Sequence, residues 1–225
     1  MRLAAAALLC VVCGAAPAQP GQPLHLAATY PLTPRDLPYA GPAPATHELA
    51  LGLYSFRDTP WEPQRVLQAV REAAPLLAQC GVRLAGAELR QLDGGEAELR
   101  DLYTPVARAL VQRLQPAKPA VFFLRDTRNR PAFDAEAFGR GNTRTRPELA
   151  GTVWLTAPVR DLPIALAHEL AHVLMDSGEH SEAPGNLMRE DTEPGNTRLS
   201  AEQCRRMQKN GATNGWLQPT RPELR

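Results

Sequence analysis

The sequence predicts an α+β fold in which a twisted mixed sheet packs on two helices, followed by a short, mostly irregular C-terminal part that ends in a helix. Two features of the chain lead to this prediction. Strand-like and helix-like segments alternate between residues 48 and 175, which is typical of a sheet with helices packed beside it. The segment Ala120–Leu124 is apolar throughout, which indicates a strand buried on both faces near the centre of the sheet.

The individual strands and helices each have a local signal. Apolar and β-branched runs predict strands at 48–56, 82–92, 120–124 and 151–157. Capping residues or an early proline predict helix starts at Thr59–Pro60, Thr104–Pro105, Asp161–Pro163 and Ser200. In the first helix, apolar positions repeat at helical spacing from Val66 to Cys80, which places Cys80 on a buried stripe. The segment 128–147 is rich in Arg, Asn, Gly and Thr and is predicted to be mostly loop.

The first 46 residues are predicted to lie outside the main domain. Met1 and Arg2 precede a short apolar run that ends in small residues, the pattern of a secretory signal peptide over residues 1–18. Residues 19–46 contain seven prolines and are predicted to form an extended arm without regular structure. Residues 47–225 would then form a single domain, and the protein is expected to be secreted or periplasmic.

The charge balance argues against several classes of partner. The chain has 25 Lys and Arg against 24 Asp and Glu, a formal net charge of +1. A value this close to zero argues against nucleic acid or an anionic membrane as the main partner. Beyond the first apolar run, no stretch is long enough to cross a membrane, so stable membrane insertion is not expected. A monomer is expected.

Residues 168–180 contain the strongest chemical signal in the chain. His168 and His172 are four residues apart, so on a helix their imidazoles lie on one face and can bind the same metal ion. The pattern HExxH is typical of zinc hydrolases, in which the glutamate acts as general base. Glu169 is therefore the predicted catalytic residue, and the helix that starts near Asp161 is the predicted active-site helix. Three of the five histidines fall between 168 and 180, a concentration that packing alone does not explain.

One catalytic Zn²⁺ is predicted, with His180 as the third ligand. Imidazole suits zinc better than the other donors nearby. Gly178 is expected to end the helix and turn the chain back toward the metal. The alternative third ligands are Asp176, Glu179, Glu190 and Glu193.

The segment His168–Met188 resembles the metzincin zinc peptidases, and the spacing from His180 to Met188 looks most like the matrixin branch. It departs from the family pattern HExxHxxGxxH because Met175 holds the usual glycine place and two further residues precede His180. The resemblance implies a metzincin-like fold, with Met188 in the Met-turn that floors the metal site. It also implies a peptide substrate bound along an edge strand, here within about Ala132–Asn142.

A zinc metallopeptidase that hydrolyses peptide bonds is the preferred hypothesis, with a peptide or protein as substrate. HExxH chemistry does not fix the acyl group, so a non-peptidase zinc amidase or hydrolase is an alternative. A catalytically silent exported zinc-binding protein is another.

Two cysteines, Cys80 and Cys204, would remain after removal of a signal peptide. In an oxidising compartment an isolated pair is expected to form a disulfide. Such a bridge would tie the last helix to the first. Two inert buried thiols are the alternative.

Overall fold

The computed structural model describes residues 22–128, 139–144 and 146–220. The predicted signal peptide at 1–18 lies outside these ranges, as do residues 132–138 of the predicted substrate-binding segment. Within the described ranges, no helix combines the length and apolar composition that crossing a bilayer requires.

A mixed sheet of seven described strands forms the centre of the fold. In chain order these strands are β1 (His25–Leu32), β2 (His47–Phe56), β3 (Val82–Asp93), β5 (Ala120–Leu124), β7 (Gly139–Asn142), β8 (Thr152–Thr156) and β9 (Gln218–Pro219). They lie in the order β1, β3, β2, β5, β8, β7, with β9 pairing with the start of β2. The four inner strands are parallel, whereas β1 and β7 run antiparallel at the two edges. Two short strands, β4 (Asp101–Leu102) and β6 (Asp126–Thr127), form a separate parallel pair.

Helices cover both faces of this sheet. They are α1 (Pro63–Ala78), α2 (Thr104–Leu114), α3 (Leu162–Met175) and α4 (Ala201–Thr213). α1 and α3 share one core with one face of the sheet, and α4 packs on α3. α2 packs on the opposite face, where Phe122 stacks between Tyr54 and Trp154. The α+β prediction is confirmed, and β5 is an inner strand with all its residues buried, as its composition indicated.

The proline-rich segment contains a strand that the sequence analysis did not predict. β1 pairs with β3, and Pro31 lies opposite Glu88. Proline is tolerated there because an edge strand has a neighbour on one side only. The prediction that residues 19–46 lack regular structure is therefore wrong for His25–Leu32.

The first helix begins later than predicted. α1 starts at Pro63, whereas the Thr59 hydroxyl donates to the carbonyl of Phe56 at 2.6 Å in a preceding turn. This turn brings Trp61 into the core, where its indole N–H donates to the carbonyl of Leu124 at 2.7 Å. Burial of a large aromatic ring therefore outweighs the local capping signal.

The two cysteines form the predicted disulfide. Cys80 and Cys204 have Cα atoms 4.7 Å apart and are 124 residues apart in sequence. Cys80 lies just beyond the end of α1, and Cys204 lies in the first turn of α4. The bridge therefore fixes α4 to the α1 end of the fold, as the sequence analysis proposed.

Candidate metal centre

Helix α3 carries the HExxH motif and is buried along most of its length. It begins at Leu162 with Pro163 in its first turn, where a missing N–H does no harm. His168, Glu169 and His172 are all buried. The Nε2 atoms of His168 and His172 lie 2.9 Å apart, so their separation by one helical turn brings both imidazoles to one point.

After α3 the chain returns and brings His180 to the same point. The Nε2 atom of His180 lies 3.2 Å from that of His172. One nitrogen from each of His168, His172 and His180 lies within 4.8 Å of the other two. His180 is exposed, whereas the two helix histidines are buried, so the cluster is open to solvent on the His180 side.

The turn that leads to His180 begins at Asp176 rather than at Gly178, so the expected role of Gly178 is wrong. Asp176 has a left-handed backbone with φ of 50°, and its amide donates to the carbonyl of His172. Aspartate adopts this conformation more readily than most residues because its short side chain bonds locally. Its Oδ1 also accepts a long-range hydrogen bond, from the backbone N–H of Arg144 at 2.7 Å.

The alternative third ligands are not part of this cluster. The Asp176 carboxylate accepts the Arg144 amide, and Oε2 of Glu179 accepts hydrogen bonds from Arg206 at 2.8 Å and from Ser177 at 3.3 Å. The hydrogen bond from Arg206 lowers the pKa of Glu179. Among the described residues, the cluster of possible metal donors excludes Asp176, Glu179, Glu190 and Glu193.

Backbone carbonyls hold the two helix histidines in one orientation. The Nδ1 atom of His168 lies 2.8 Å from the carbonyl oxygen of Leu187, and that of His172 lies 2.7 Å from the carbonyl oxygen of Ser177. Since a carbonyl only accepts, each Nδ1 carries the proton and each Nε2 offers a lone pair. Burial lowers the pKa of His168 to about 4 and that of His172 to about 3. Both rings are therefore neutral at neutral pH, the form that binds a metal.

The Glu169 carboxyl lies between α3 and the edge strand β7. The backbone N–H of Gly141 in that strand donates to it. A Cβ atom on Gly141 would lie 2.6 Å from the Glu169 carbonyl oxygen and 3.1 Å from Oε2, so only glycine fits this approach. Burial raises the pKa of Glu169 to about 8, and the Gly141 amide and the charge of Arg140 oppose this rise. Glu169 therefore binds its proton more tightly than an exposed glutamate does.

Met188 is fully buried in the loop that follows His180. Its carbonyl accepts the N–H of Ser181 at 2.7 Å, which joins this loop to the residue after His180. Its own N–H donates to Oδ1 of Asn186 at 2.9 Å. The predicted Met-turn residue is thus part of the loop that also supplies the Leu187 carbonyl.

No known family model matches this chain, and no curated protein matches it. Solved structures do match, and one of them is metalloproteinase-II from Bacteroides fragilis, at a TM-score of 0.50. The fold resembles that of a metalloproteinase. The two proteins are 19% identical, and the similarity covers 79% of this chain but 59% of the other, so this chain spans less than two thirds of its length. At this identity the likeness concerns the fold.

Several residues around the histidine cluster were not found from the sequence. Gly141 was only part of a predicted substrate-binding segment, and the partners of the histidine Nδ1 atoms are backbone groups of Ser177 and Leu187. Backbone carbonyls occur at every residue and leave no signal in the side-chain pattern. For Gly141, a glycine inside a strand would have indicated close approach of another backbone, but the segment 128–147 was predicted to be mostly loop.

Proposed function

We propose that this protein is a zinc-dependent metallopeptidase that hydrolyses peptide bonds. The observation that carries the proposal is the convergence of His180 with His168 and His172 of α3, the helix that also bears the buried Glu169. Three imidazoles form a donor set that zinc favours in catalytic sites. The likeness of the fold to a metalloproteinase supports the proposal.

The three histidines would hold the ion through their Nε2 atoms. A zinc ion bound by three protein ligands supplies an open coordination position, a water of lowered pKa and polarisation of a carbonyl group. The carbonyls of Leu187 and Ser177 keep the imidazole protons on Nδ1. This arrangement fixes the tautomer and aims each Nε2 at the centre of the cluster.

Glu169 is proposed to act first as general base and then as general acid. It would take a proton from the water that attacks the peptide carbonyl carbon, and deliver this proton to the leaving amine nitrogen. Burial raises the pKa of Glu169 above its ordinary value, so its carboxylate is a stronger base than that of an exposed glutamate. A positioned group of this kind typically contributes about 10²–10⁴-fold in rate.

We propose that an extended peptide substrate binds along β7. Among the described strands, β7 pairs with β8 only, so it lies at an edge of the sheet, where a peptide would add as a further strand beside the Gly141 N–H that already donates to Glu169. Gly141 in β7 contacts Glu169. A peptide on this edge would therefore lie close to the general base.

The finer assignment to the metzincins is part of the same proposal. Asp176 makes the left-handed turn for which the family pattern uses glycine. This turn explains how Met175 can hold the usual glycine place and how a longer connection can still return His180 to the cluster. The Cys80–Cys204 disulfide supports export to an oxidising compartment, secreted or periplasmic.

Four proteins test the proposal: the wild type and the variants Glu169→Gln, His180→Ala and Glu179→Ala. Glu169→Gln is expected to bind zinc as the wild type does and to lose about 10²–10⁴-fold in peptide hydrolysis. His180→Ala is expected to lose both zinc and activity. Glu179→Ala is the matched control, because this neighbouring carboxylate pairs with Arg206, and it should keep both. Zinc is measured by elemental analysis, and hydrolysis with a library of fluorogenic peptides.

Three outcomes would overturn the proposal. Undiminished hydrolysis by Glu169→Gln would remove its general base. A wild type that binds zinc and cleaves non-peptide amides, but does not cleave peptides, would favour the amidase alternative. A wild type that binds less than about one-tenth zinc per chain would favour an exported protein without metal chemistry.

A further inference from the structure

A pair of reciprocal hydrogen bonds joins α4 to the loop beside the metal centre. The Nδ2 of Asn186 donates to Oε1 of Gln203 at 3.0 Å, and the Nε2 of Gln203 donates to Oδ1 of Asn186 at 3.0 Å. Oε1 of Gln203 also accepts the N–H of Ser200 at 2.7 Å, as part of the cap of α4. The cap requires only this oxygen, so the Nε2 of Gln203 is left to hold Asn186.

Asn186 connects Gln203 to the residues that contact the candidate ligands. Its Oδ1 also accepts the N–H of Met188 at 2.9 Å, which folds the loop over Leu187. The Leu187 carbonyl then accepts the Nδ1–H of His168 at 2.8 Å. Asn186 is 7% exposed and Leu187 is fully buried, so water has little access to replace these bonds.

Contacts outside this loop also fix the position of Gln203. The next residue, Cys204, is bound covalently to Cys80 at the end of α1. On the same helix, Asn210 donates to the carbonyl of Met175 at 2.6 Å. Gln203 is therefore held on a helix that is anchored at two later positions, Cys204 and Asn210. The loop of Asn186 forms an isolated β-bridge with Arg198, and the Leu187 N–H donates to the Arg198 carbonyl at 2.7 Å.

We propose that Gln203 is a positioning residue for the metal centre. Its carboxamide holds Asn186 so that the Leu187 carbonyl fixes the Nδ1–H of His168 and directs Nε2 of His168 at the ion. This inference rests on the proposed function, because it takes His168 as a metal ligand. It adds to that function a residue outside the motif, on a different helix, that sets the metal affinity.

The substitution Gln203→Glu tests this role with little change in shape. The carboxylate keeps an acceptor for the Ser200 N–H and for the Nδ2 of Asn186. It replaces the donor with an oxygen that faces Oδ1 of Asn186, and Asn186 cannot rotate without losing the Met188 N–H. The expected result is a zinc affinity about 10-fold weaker than that of the wild type, measured by competition with a chromophoric chelator.

Two further measurements separate positioning from general destabilisation. The visible spectrum of the Co²⁺-loaded variant should differ from that of the wild type, because the ligand field reports the orientation of His168. Gln208→Glu is the matched control: Gln208 lies on the same helix and donates to the carbonyl of Cys80 at 2.7 Å. It loses a comparable bond, but its zinc affinity and Co²⁺ spectrum should equal those of the wild type. If Gln203→Glu does not fold, Gln203→Met removes the bond to Oδ1 of Asn186 without adding a charge, together with the two bonds that Oε1 accepts.

The possible outcomes distinguish this inference from the proposed function. A wild type that binds zinc, with a Gln203 variant of unchanged affinity and Co²⁺ spectrum, would overturn the inference alone. An equal loss of affinity in Gln208→Glu would also overturn it, because the effect would then belong to the helix. A wild type that binds no zinc would overturn both.

Discussion

At the scale of single residues, the closest approach in the site is that of Gly141 to Glu169. A methyl group on Gly141 would meet the Glu169 carbonyl oxygen at 2.6 Å and the Cβ of His172 at 3.1 Å. Both atoms belong to the buried helix α3, which cannot shift easily, so β7 would have to move away from it. Gly141→Ala is expected to lower the free energy of unfolding by about 1–3 kcal/mol. It should also reduce kcat/KM, since the amide that holds the Glu169 carboxylate moves with the strand.

Gly178→Ala is the control for this substitution. No atom lies within 4 Å of the position that its Cβ would occupy, although Gly178 is also close to the metal cluster in sequence. Urea unfolding in the presence of a chelator and peptide hydrolysis with zinc should leave Gly178→Ala unchanged. If Gly141→Ala has wild-type stability and activity, then β7 does not hold the general base.

Residue-scale prediction from the sequence succeeded where side-chain chemistry carries the signal. The spacing of His168 and His172 placed two rings on one face of a helix, and His180 was preferred as the third donor because imidazole suits zinc; the three rings do lie together. It failed for Asp176, where the expected turn residue was Gly178. A sequence shows which residues tolerate a left-handed backbone, but the length of the helix decides which residue must adopt it.

At the scale of the element, Asp176 decides how α3 ends. Its left-handed backbone favours Asn, Asp or Gly, and its Oδ1 accepts the Arg144 N–H just after β7. Asp176→Asn keeps the acceptor and removes a negative charge from a helix C-terminus. Asp176→Ala loses the acceptor and has no side chain that favours φ above zero. We expect Asn to be as stable as the wild type or more so, and Ala to be about 1–2 kcal/mol less stable.

Chemical unfolding of the metal-free proteins checks this prediction without a contribution from metal binding. An equal loss of stability in Asp176→Asn and Asp176→Ala would contradict it, because the loss would then come from the charge. Activity with zinc should follow the same order, since the turn at Asp176 carries the chain toward His180.

The prediction of helices and strands was limited by long-range contacts, which the local sequence does not show. The strands at 48–56, 82–92, 120–124 and 151–157 were found because their apolar residues are buried on the sheet. β1 was missed because its prolines resemble those of an extended arm. Only its pairing with β3, a long-range contact, makes it a strand. The start of α1 was misplaced for a similar reason, since the burial of Trp61 is a tertiary effect.

At the scale of the whole molecule, the sequence was sufficient for the layered α+β class but not for the order of strands. The parallel order of the inner strands depends on crossover connections, and neither composition nor periodicity specifies them. What joins the layers at the metal centre is a set of long-range bonds from α4. Two adjacent residues of that helix contact different parts of the fold: Cys204 is bound to Cys80 at the end of α1, and Gln203 is hydrogen-bonded to Asn186 in the loop beside the metal centre.

The Cys80–Cys204 disulfide is expected to be the largest single covalent contribution to stability. It closes a loop with a sequence separation of 124, and restricting an unfolded chain of this length contributes about 2–5 kcal/mol. The double variant Cys80→Ser/Cys204→Ser should lose that amount in urea unfolding with a chelator present. Reduced wild type should unfold with the same midpoint as the double variant, and a reductant should not change the variant. A loss below about 1 kcal/mol would mean that the packing of α4 on α3 holds the helix without the bridge.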